Sequence, residues 1–414
     1  MHAFKFSPLL VIILLVSACN TGNKKEKKGA TTGQEIVRNI PSPSGTGSSL
    51  PFLFTDGSNA ILSWVEAVND TTHRLKYAEL VEDAWQQPKE IITGKDWFVN
   101  WADFPMITAN NGNLLSHVLR KSSPGTYSYD IKLNVLPAGD SVWSTSLPLH
   151  TDGTETEHGF VTALPYKENS FFVTWLDGRN TSSAGHGEGH AGAMSLRAAE
   201  VSAKGWVGNE VLLDDRTCDC CQTTAAITSN GPVVLYRDRT EDEVRDISIT
   251  RRVNGKWTAP RSINEDGWEI KGCPVNGPKA AAIGNTLGVS WFTAANNEPK
   301  VNLIFSHDGG ENFDTPIVIS EKAPLGRVDL LMIDEEYAIV SWMEATDTDA
   351  RLLAMKVHAT GKKYNAIVVD SLSASRRSGL PQMGLVKDKV HFAWTNISEK
   401  ETSIKTAYIN LNNF

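Results

Sequence analysis

Short strand-like segments return in the same order seven times along the chain, at a period of about 50 to 60 residues. Each repeat opens with a small residue, Pro or Gly that leads into an apolar stretch, and a second apolar stretch usually ends in an aromatic residue. A third stretch alternates apolar and polar positions, as a half-buried strand does, and a short outer strand follows a turn. The openings begin at Ser49, Asp103, His158, Cys220, Cys273, Gly326 and Ser378. Four strands per repeat at this period predict the blades of a β-propeller.

The two ends of the chain bear on how such a ring would close. The seventh repeat ends at Phe414 without an outer strand, which would leave an unpaired sheet edge. Residues 35–40, EIVRNI, are similar to the other outer strands but stand before the first repeat. We therefore predict an all-β, seven-bladed β-propeller closed by this N-terminal strand. Six blades remain the alternative, because the second repeat has His117 in place of the aromatic residue and could be an elaborated loop.

The amino terminus is typical of an export signal. Its apolar run, Leu9–Val16, is too short to span a membrane as a helix. The segment VSAC that ends at Cys19 resembles the bacterial lipobox, in which the Cys is lipidated and becomes the first residue of the mature protein. We predict a lipoprotein signal peptide over residues 1–18, a lipidated Cys19 with a flexible polar tether over 19–34, and the propeller over 35–414. The alternative is an ordinary signal peptide with a chance Cys.

The expected location follows from this anchor. The protein would belong to the bacterial cell envelope, held by lipid at the outer membrane on its periplasmic or surface face. The chain has 48 Asp and Glu against 40 Lys and Arg, a formal net charge of −8 at pH 7. This charge gives no basic footprint for nucleic acid, so the membrane and a small ligand are the partners we expect.

Strand direction would gather polar residues at one mouth of the ring, where first strands begin and second strands end. Carboxylates that face each other there could hydrolyse a glycoside, and Arg side chains, with a Tyr nearby, could clamp an anion. The alternative is that these groups bond exposed backbone at blade edges. The candidate catalytic residues are Asp103, Asp177, Asp238, Glu344 and Tyr236, and the candidate ligand-binding residues are Arg237, Arg245, Asn276 and Arg327.

Four cysteines, Cys218, Cys220, Cys221 and Cys273, stand at the openings of two successive repeats. In an exported protein such a set is first expected to form disulfides, here between Cys220 or Cys221 and Cys273. The alternative is a thiolate metal site for copper or zinc, with His158 as a further ligand. The glycine-rich segment 184–193, which carries His186, Glu188 and His190, is expected to be a mobile loop; the alternative is a lid or auxiliary metal ligands over the mouth.

The segment from Ser306 to Phe313, SHDGGENF, resembles the Asp-box of sialidase-like (BNR repeat) propellers, with Phe in place of Trp. The resemblance implies a structural turn around Asp308 on the face opposite the mouth. It also implies carbohydrate chemistry and, if the protein is an enzyme, a glycoside hydrolase. The Arg-Ile-Pro motif that sialidases carry in their first blade is absent. The CDCC and CPVNGP segments are similar to a group of exported bacterial proteins labelled sialidase-like.

Three functions compete at this point. The leading hypothesis is a surface-anchored propeller that hydrolyses or binds a glycan or another small anionic ligand. A metal-binding or redox protein with copper or zinc at the cysteines is the second, and a pure interaction scaffold is the third.

Overall fold

The computed structural model describes Met1 and residues 36–181, 192–399 and 401–414. The predicted signal peptide, Cys19, the tether and His186, Glu188 and His190 lie outside the described residues. Within the described residues, no helix has the length and apolar character needed to cross a membrane.

Seven antiparallel sheets follow one another along the described chain, which confirms the predicted seven-bladed propeller. The closing strand is β1 (Val37–Ile40). Blade 1 contains β2 (Ser48–Thr55), β3 (Ala60–Ala67), β4 (Thr72–Val81), β5 (Ala84–Trp85) and β6 (Lys89–Lys95). Blade 2 contains β7 (Ile107–Asn110), β8 (Asn113–Lys121), β9 (Tyr129–Leu136) and β10 (Ser144–Pro148). Blade 3 contains β11 (His158–Tyr166), β12 (Ser170–Asp177), β13 (Met194–Ser202) and β14 (Val207–Thr217).

The remaining four blades complete the ring. Blade 4 contains β15 (Thr224–Thr228), β16 (Gly231–Arg237), β17 (Ile247–Val253), β18 (Lys256–Trp257) and β19 (Arg261–Ser262). Blade 5 contains β20 (Lys279–Ile283), β21 (Thr286–Thr293), β22 (Lys300–Ser306) and β23 (Ile317–Ser320). Blade 6 contains β24 (Pro324–Met332), β25 (Tyr337–Ala345), β26 (Ala350–His358) and β27 (Ile367–Leu372). Blade 7 contains β28 (Gln382–Val386), β29 (Lys389–Ser398) and β30 (Glu401–Asn410). Short 3-10 turns occur at Ala295–Asn297, Arg376–Ser378 and Leu411–Asn413.

The hydrophobic core lies between neighbouring blades. Strands β12 and β21 are buried at every position, because each is covered on both faces. The aromatic residue that ends the second strand packs against the preceding blade: Trp175 lies among blade 2 residues, Trp342 among blade 5 residues and Trp64 among blade 7 residues. The recurring aromatic residue of the sequence is therefore the wedge that joins successive blades.

The ring closes as predicted. Strand β1 pairs antiparallel with β30, with Val37 opposite Ile409 and Ile40 opposite Thr406. Blade 2 is a complete four-stranded sheet, which removes the six-bladed alternative. His117 is buried in the aromatic position of this blade, and burial lowers its pKa to about 3.

The predicted first strands were too long in four blades. Strands β7, β15, β20 and β28 begin several residues after the predicted openings, and the residues before them form irregular lead-in loops. This correction places Asp103, Cys220, Cys221, Cys273 and Asn276 on loops at the mouth rather than on strands.

The lead-in loop of blade 2, residues 96–106, crosses the mouth of the ring. The carbonyl of Ala102 accepts a hydrogen bond of 2.8 Å from Gln222 in blade 4. Its neighbour Trp101 contacts Arg327 in blade 6. Residues of this loop, including Ala102 and Asp103, and residues from the other six blades or their lead-in loops line a central cavity of about 150 Å³.

Candidate functional site

Trp101, Arg327 and Arg376 form one cluster at the mouth, called here the arginine–tryptophan cluster. The Cζ atoms of Arg327 and Arg376 lie 5.2 Å and 5.9 Å from the centroid of the Trp101 ring. Trp101 is half-buried and Arg376 is exposed, so part of the cluster is accessible to a ligand. Guanidinium groups at this distance from an indole ring are attracted by its electrons.

Arg327 is held rigidly within this cluster. Its Nη1 donates to the Ser378 hydroxyl at 2.6 Å and to the carbonyls of Ser375 and Gly379, both at 3.1 Å. Its backbone N–H donates to the Asn276 side chain at 2.8 Å. Asn276, predicted as a ligand-binding residue, is therefore placed to position Arg327.

The charge of the cluster is uncompensated within the described chain. Neither Arg327 nor Arg376 has a carboxylate within 4.0 Å among the described residues, although Arg327 is 7% exposed. Burial, together with the positive charge of Arg376, lowers the pKa of Arg327 to about 10. The hydrogen bonds of Arg327 go to neutral oxygens and leave its charge without an ionic partner among the described residues, so an anion next to the cluster would be favourable.

Arg237 does not reach the mouth as a free side chain. It is 1% exposed and donates to the carbonyls of Asn276, Arg245 and Phe292 at 2.9, 2.6 and 2.6 Å. It also stacks on Trp268 at 4.8 Å. Its donors are occupied by backbone acceptors, so this predicted ligand-binding residue joins blades 4 and 5 instead.

Cys218, Cys220 and Cys221 converge in what we call the thiol cluster. The Sγ atom of Cys218 lies 2.8 Å from that of Cys221 and 4.0 Å from that of Cys220. All three are buried free thiols, packed among apolar side chains such as Phe160. Cys273 is exposed, and its thiol is within hydrogen-bonding reach of Cys220. The structure therefore brings together the four cysteines that the sequence singled out.

Arg245 supplies positive charge to the thiol cluster. Its Nη1 lies 3.3 Å from the Sγ of Cys218, and its Nη2 lies 2.7 Å from Glu243. Burial alone would raise the pKa of Cys218, but hydrogen bonds with Cys220 and Cys221 and the charge of Arg245 lower it well below its usual value. Arg245 thus faces sulfur, which makes it a neighbour of the cysteines rather than a member of an anion clamp.

His158 lies in a different cluster from the cysteines it was predicted to join. Its ring stacks on His150 at 3.8 Å, and its Nε2 lies 3.4 Å from Asp152 and 3.7 Å from Asp177. Arg179 binds Asp177 with two hydrogen bonds of 2.7 and 2.8 Å. The guanidinium of Arg179 neutralises the charge of Asp177. These residues therefore form a structural ion-pair network at the start of blade 3.

Asp103 is paired with groups that the sequence analysis missed. Its carboxyl group accepts a hydrogen bond from the N–H of Phe160 at 2.8 Å and lies 3.1 Å from the hydroxyl oxygen of Tyr129. The single hydroxyl proton of Tyr129 is donated to Glu157, at the shorter distance of 2.6 Å. Burial, and to a lesser degree the charge of Glu157, raises the pKa of Asp103 to about 8. Tyr129 is the first residue of β9, and Glu157 immediately precedes β11. Their positions at the starts of strands at the mouth could have identified them in the sequence.

The other predicted catalytic residues also have internal partners. Asp238 accepts from the N–H of Arg239 at 2.7 Å and from the Ser248 hydroxyl at 2.9 Å. Tyr236 is buried and donates to Asp214. Glu344 is 4% exposed, bound by Arg351 at 2.8 Å and by Ser320 at 2.9 Å. The candidate carboxylates thus belong to blades 2, 3, 4 and 6 and are each engaged locally.

The Asp-box segment forms the turn between β22 and β23. Asp308 accepts hydrogen bonds from the N–H groups of Glu311 and Asn312, both at 2.9 Å, and from Ser306 at 2.8 Å. Burial would raise the pKa of Asp308, but the hydrogen bonds from Asn312 and Ser306 lower it to about 2. The predicted acceptor role of Asp308 in a structural turn is confirmed.

Solved structures share this architecture at low sequence identity. The chain is similar to a polysaccharide lyase of family PL25, an ulvan lyase bound to -[GlcA(1-4)Rha3S]-, with TM-score 0.57 and 12% identity over 90% of this chain and 96% of that chain. It is also similar to polysaccharide lyase Uly1, with TM-score 0.51 and 8% identity over 93% and 94%. A protein of unknown function from Dyadobacter fermentans DSM 18053 has TM-score 0.50 and 12% identity over 74% and 94%.

These likenesses show the fold. Two of the three proteins are named as polysaccharide lyases, and the similarity confirms the predicted β-propeller fold. No protein-family model matches the sequence, and no curated protein matches it.

Proposed function

We propose that the protein binds an acidic carbohydrate, one that carries carboxylate or sulfate groups, at the arginine–tryptophan cluster. The observation that carries the proposal is the pair of guanidinium groups of Arg327 and Arg376 beside Trp101, without a carboxylate partner in the described chain. An anionic group of the ligand would supply the missing counter-charge and take hydrogen bonds from the exposed Arg376.

The aromatic ring favours a sugar over a small inorganic anion. A pyranose ring can stack its C–H face on the half-buried indole of Trp101, while its acidic substituent meets an arginine. The shared propeller architecture adds support, because an ulvan lyase with this fold is bound to a repeat of uronate and sulfated rhamnose. The arginine side chains and the aromatic ring together favour a negatively charged glycan as the ligand.

Binding is a better account of the described site than hydrolysis. Glycoside hydrolases place two carboxyl groups on either side of the scissile bond, roughly 5 to 9.5 Å apart. Asp177 is bound by Arg179, and Glu344 is bound by Arg351 and Ser320. Neither carboxylate is offered to a substrate, so we assign the mouth a glycan-binding role.

The expected setting is the cell envelope. A lipid on Cys19 would hold the propeller at the membrane, with residues 20–34 as its tether. A binding protein in that position would retain acidic polysaccharide near the cell.

The test is calorimetric titration with uronate-bearing and sulfated oligosaccharides, alongside neutral oligosaccharides of the same length. Arg376→Gln and Trp101→Ala should each weaken binding of the acidic ligands at least tenfold, since each removes one of the two recognition elements. Arg252→Gln makes the same charge change near the C-terminal end of β17 in blade 4 and should leave the affinity unchanged. Equal binding of neutral and acidic sugars, or full binding by Arg376→Gln, would contradict the proposal.

A further inference from the structure

The thiol cluster is a second candidate binding site, separate from the arginine–tryptophan cluster. Its three Sγ atoms all lie within 4.8 Å of one another, on a loop of four residues. Cys218 is tied to blade 4 by its N–H, which donates to the Arg237 carbonyl at 3.0 Å. We propose that Cys218, Cys220 and Cys221 bind one soft metal ion, Cu(I) or Zn(II), with Cys273 as the fourth sulfur ligand. This proposal does not depend on glycan binding.

The spacing of the sulfurs fits such an ion. Zn–S bonds of about 2.3 Å in a tetrahedral site place neighbouring sulfurs roughly 3.8 Å apart. The distance between Cys218 and Cys220, 4.0 Å, is already close to this value. The distance between Cys218 and Cys221, 2.8 Å, has to increase by about 1 Å, which a small side-chain rotation supplies.

The positive charge beside the cluster suits a metal–thiolate complex, which is negatively charged, better than it suits a metal ion without thiolate ligands. Each thiol that becomes a ligand releases its proton to solvent, so three or four thiolates around Cu(I) or Zn(II) carry net negative charge. Arg245 stands 3.3 Å from Cys218 and can balance that charge. Glu243 and Asp219 are held by Arg245 and Arg239, so these carboxylates do not compete as hard oxygen ligands.

The surroundings favour soft metals over hard ones. The three thiols belong to one hydrophobic cluster with Ala102, Phe160, Phe172 and Met194. Sulfur ligands in apolar surroundings select Cu(I) and Zn(II) over Mg²⁺ or Ca²⁺. Cys273 is exposed and in reach of Cys220, so it provides a solvent-facing position from which a metal can enter.

The experiment uses the full chain with Cys19→Ser, so that only the four cysteines of the propeller can bind the added metal. Under anaerobic conditions the reduced protein is titrated with Cu(I) in competition with bicinchoninate, and separately with Zn(II) in competition with a pyridylazo dye. We expect one metal ion per chain, and the two arms show which metal binds more tightly. Cys218→Ser and Cys221→Ser should each weaken binding at least a hundredfold, and Cys273→Ser about tenfold. Thr223→Ser, which keeps every sulfur in the same loop, should bind as the parent does.

A second measurement uses the parent protein and so does not depend on whether the cysteine variants fold. In the parent protein, bound metal should slow alkylation of Cys218, Cys220 and Cys221 by iodoacetamide at least tenfold, as read by mass spectrometry of the peptide that contains them. Four reduced thiols that bind neither metal would overturn the proposal. So would pairing of all four sulfurs in disulfides after metal-free anaerobic purification, or undiminished affinity in both Cys218→Ser and Cys221→Ser.

Discussion

The guanidinium of Arg245 lies 3.3 Å from the sulfur of Cys218, at a point where both side chains are buried. This contact pairs a permanent positive charge with a cysteine whose pKa is lowered well below its usual value. In an apolar environment a thiolate needs such a partner, because burial alone favours the neutral thiol. Arg245 therefore stabilises the thiolate form of Cys218 against the effect of burial.

Arg245→Gln should raise the pKa of Cys218, since it removes the charge that stabilises the thiolate. The measurement is the thiolate absorbance near 240 nm as a function of pH, in metal-free protein that carries Cys19→Ser. The lowest titration step should move upward in Arg245→Gln and disappear in Cys218→Ser. An unchanged titration in Arg245→Gln would show that the contact does not set the charge of Cys218.

Asp103 should make stability fall as the pH rises. Burial raises its folded pKa to about 8 from the ordinary value of 3.8, so the folded state holds the proton more tightly. Its contribution is fully present below about pH 4 and is lost progressively up to about pH 8. Asp103→Asn should reduce the loss of thermal stability between pH 5 and pH 9, as measured by calorimetry. An identical loss in both proteins would contradict the buried, protonated state of Asp103.

Asp308→Ala should loosen one turn without affecting the ligand. Loss of its hydrogen bonds to the Glu311 and Asn312 N–H groups should cost about 1–2 kcal/mol of unfolding free energy, measured by denaturant titration. The exposed neighbour Asp314 provides the control, since Asp314→Ala should change stability by about 0.5 kcal/mol or less. Loss of glycan binding in folded Asp308→Ala would place the site on the other face.

The closing strand should contribute strongly to stability. Replacing Val37–Ile40 by Gly-Ser-Gly-Ser keeps the chain length but removes the side chains that pack on blade 7, and should lower the melting temperature by about 10 °C or more. Deletion of residues 20–33 is the control and should leave the melting temperature unchanged. Equal melting temperatures for both variants would contradict closure by β1.

Cys19→Ser should release the protein from the membrane. In a bacterial host the chain that retains Cys19 should partition into the detergent phase of a Triton X-114 extraction, because a lipid would be attached to this residue. The Cys19→Ser chain should partition into the aqueous phase. Aqueous partition of both chains would favour the ordinary signal peptide.

The fold could be predicted because each blade repeats the same local pattern. Trp175 and Trp342 mark the ends of second strands in the sequence, and the structure uses both to join neighbouring blades. The lead-in loops were harder to predict, since segments such as that around Pro105 are apolar enough to resemble strands. Proline lacks the N–H that a strand needs, and tertiary contacts such as that of Ala102 with Gln222 decide the conformation there.

The site was less predictable than the fold. The cysteines stood out because they are close in sequence, and they do converge. Trp101 and Arg376 were missed because they belong to different blades and meet only when the loop of blade 2 crosses the ring. His158 was assigned to the cysteines, but its side chain turns toward His150 and Asp152 at the boundary with blade 2.

The pairing of β1 with β30 also constrains the order of folding. Ile40 and Thr406 are bonded across a separation of 366 residues, so the last sheet cannot be completed until almost the entire chain is present. Contacts of such long range form slowly, because the intervening chain has to be ordered first. Blades 1 to 6 can form successively as the polypeptide emerges, while the seventh has to wait for its first strand to meet its last. A chain interrupted before Glu401 would leave the β29 edge unpaired, and such an edge distinguishes incomplete molecules from complete ones in cellular quality control.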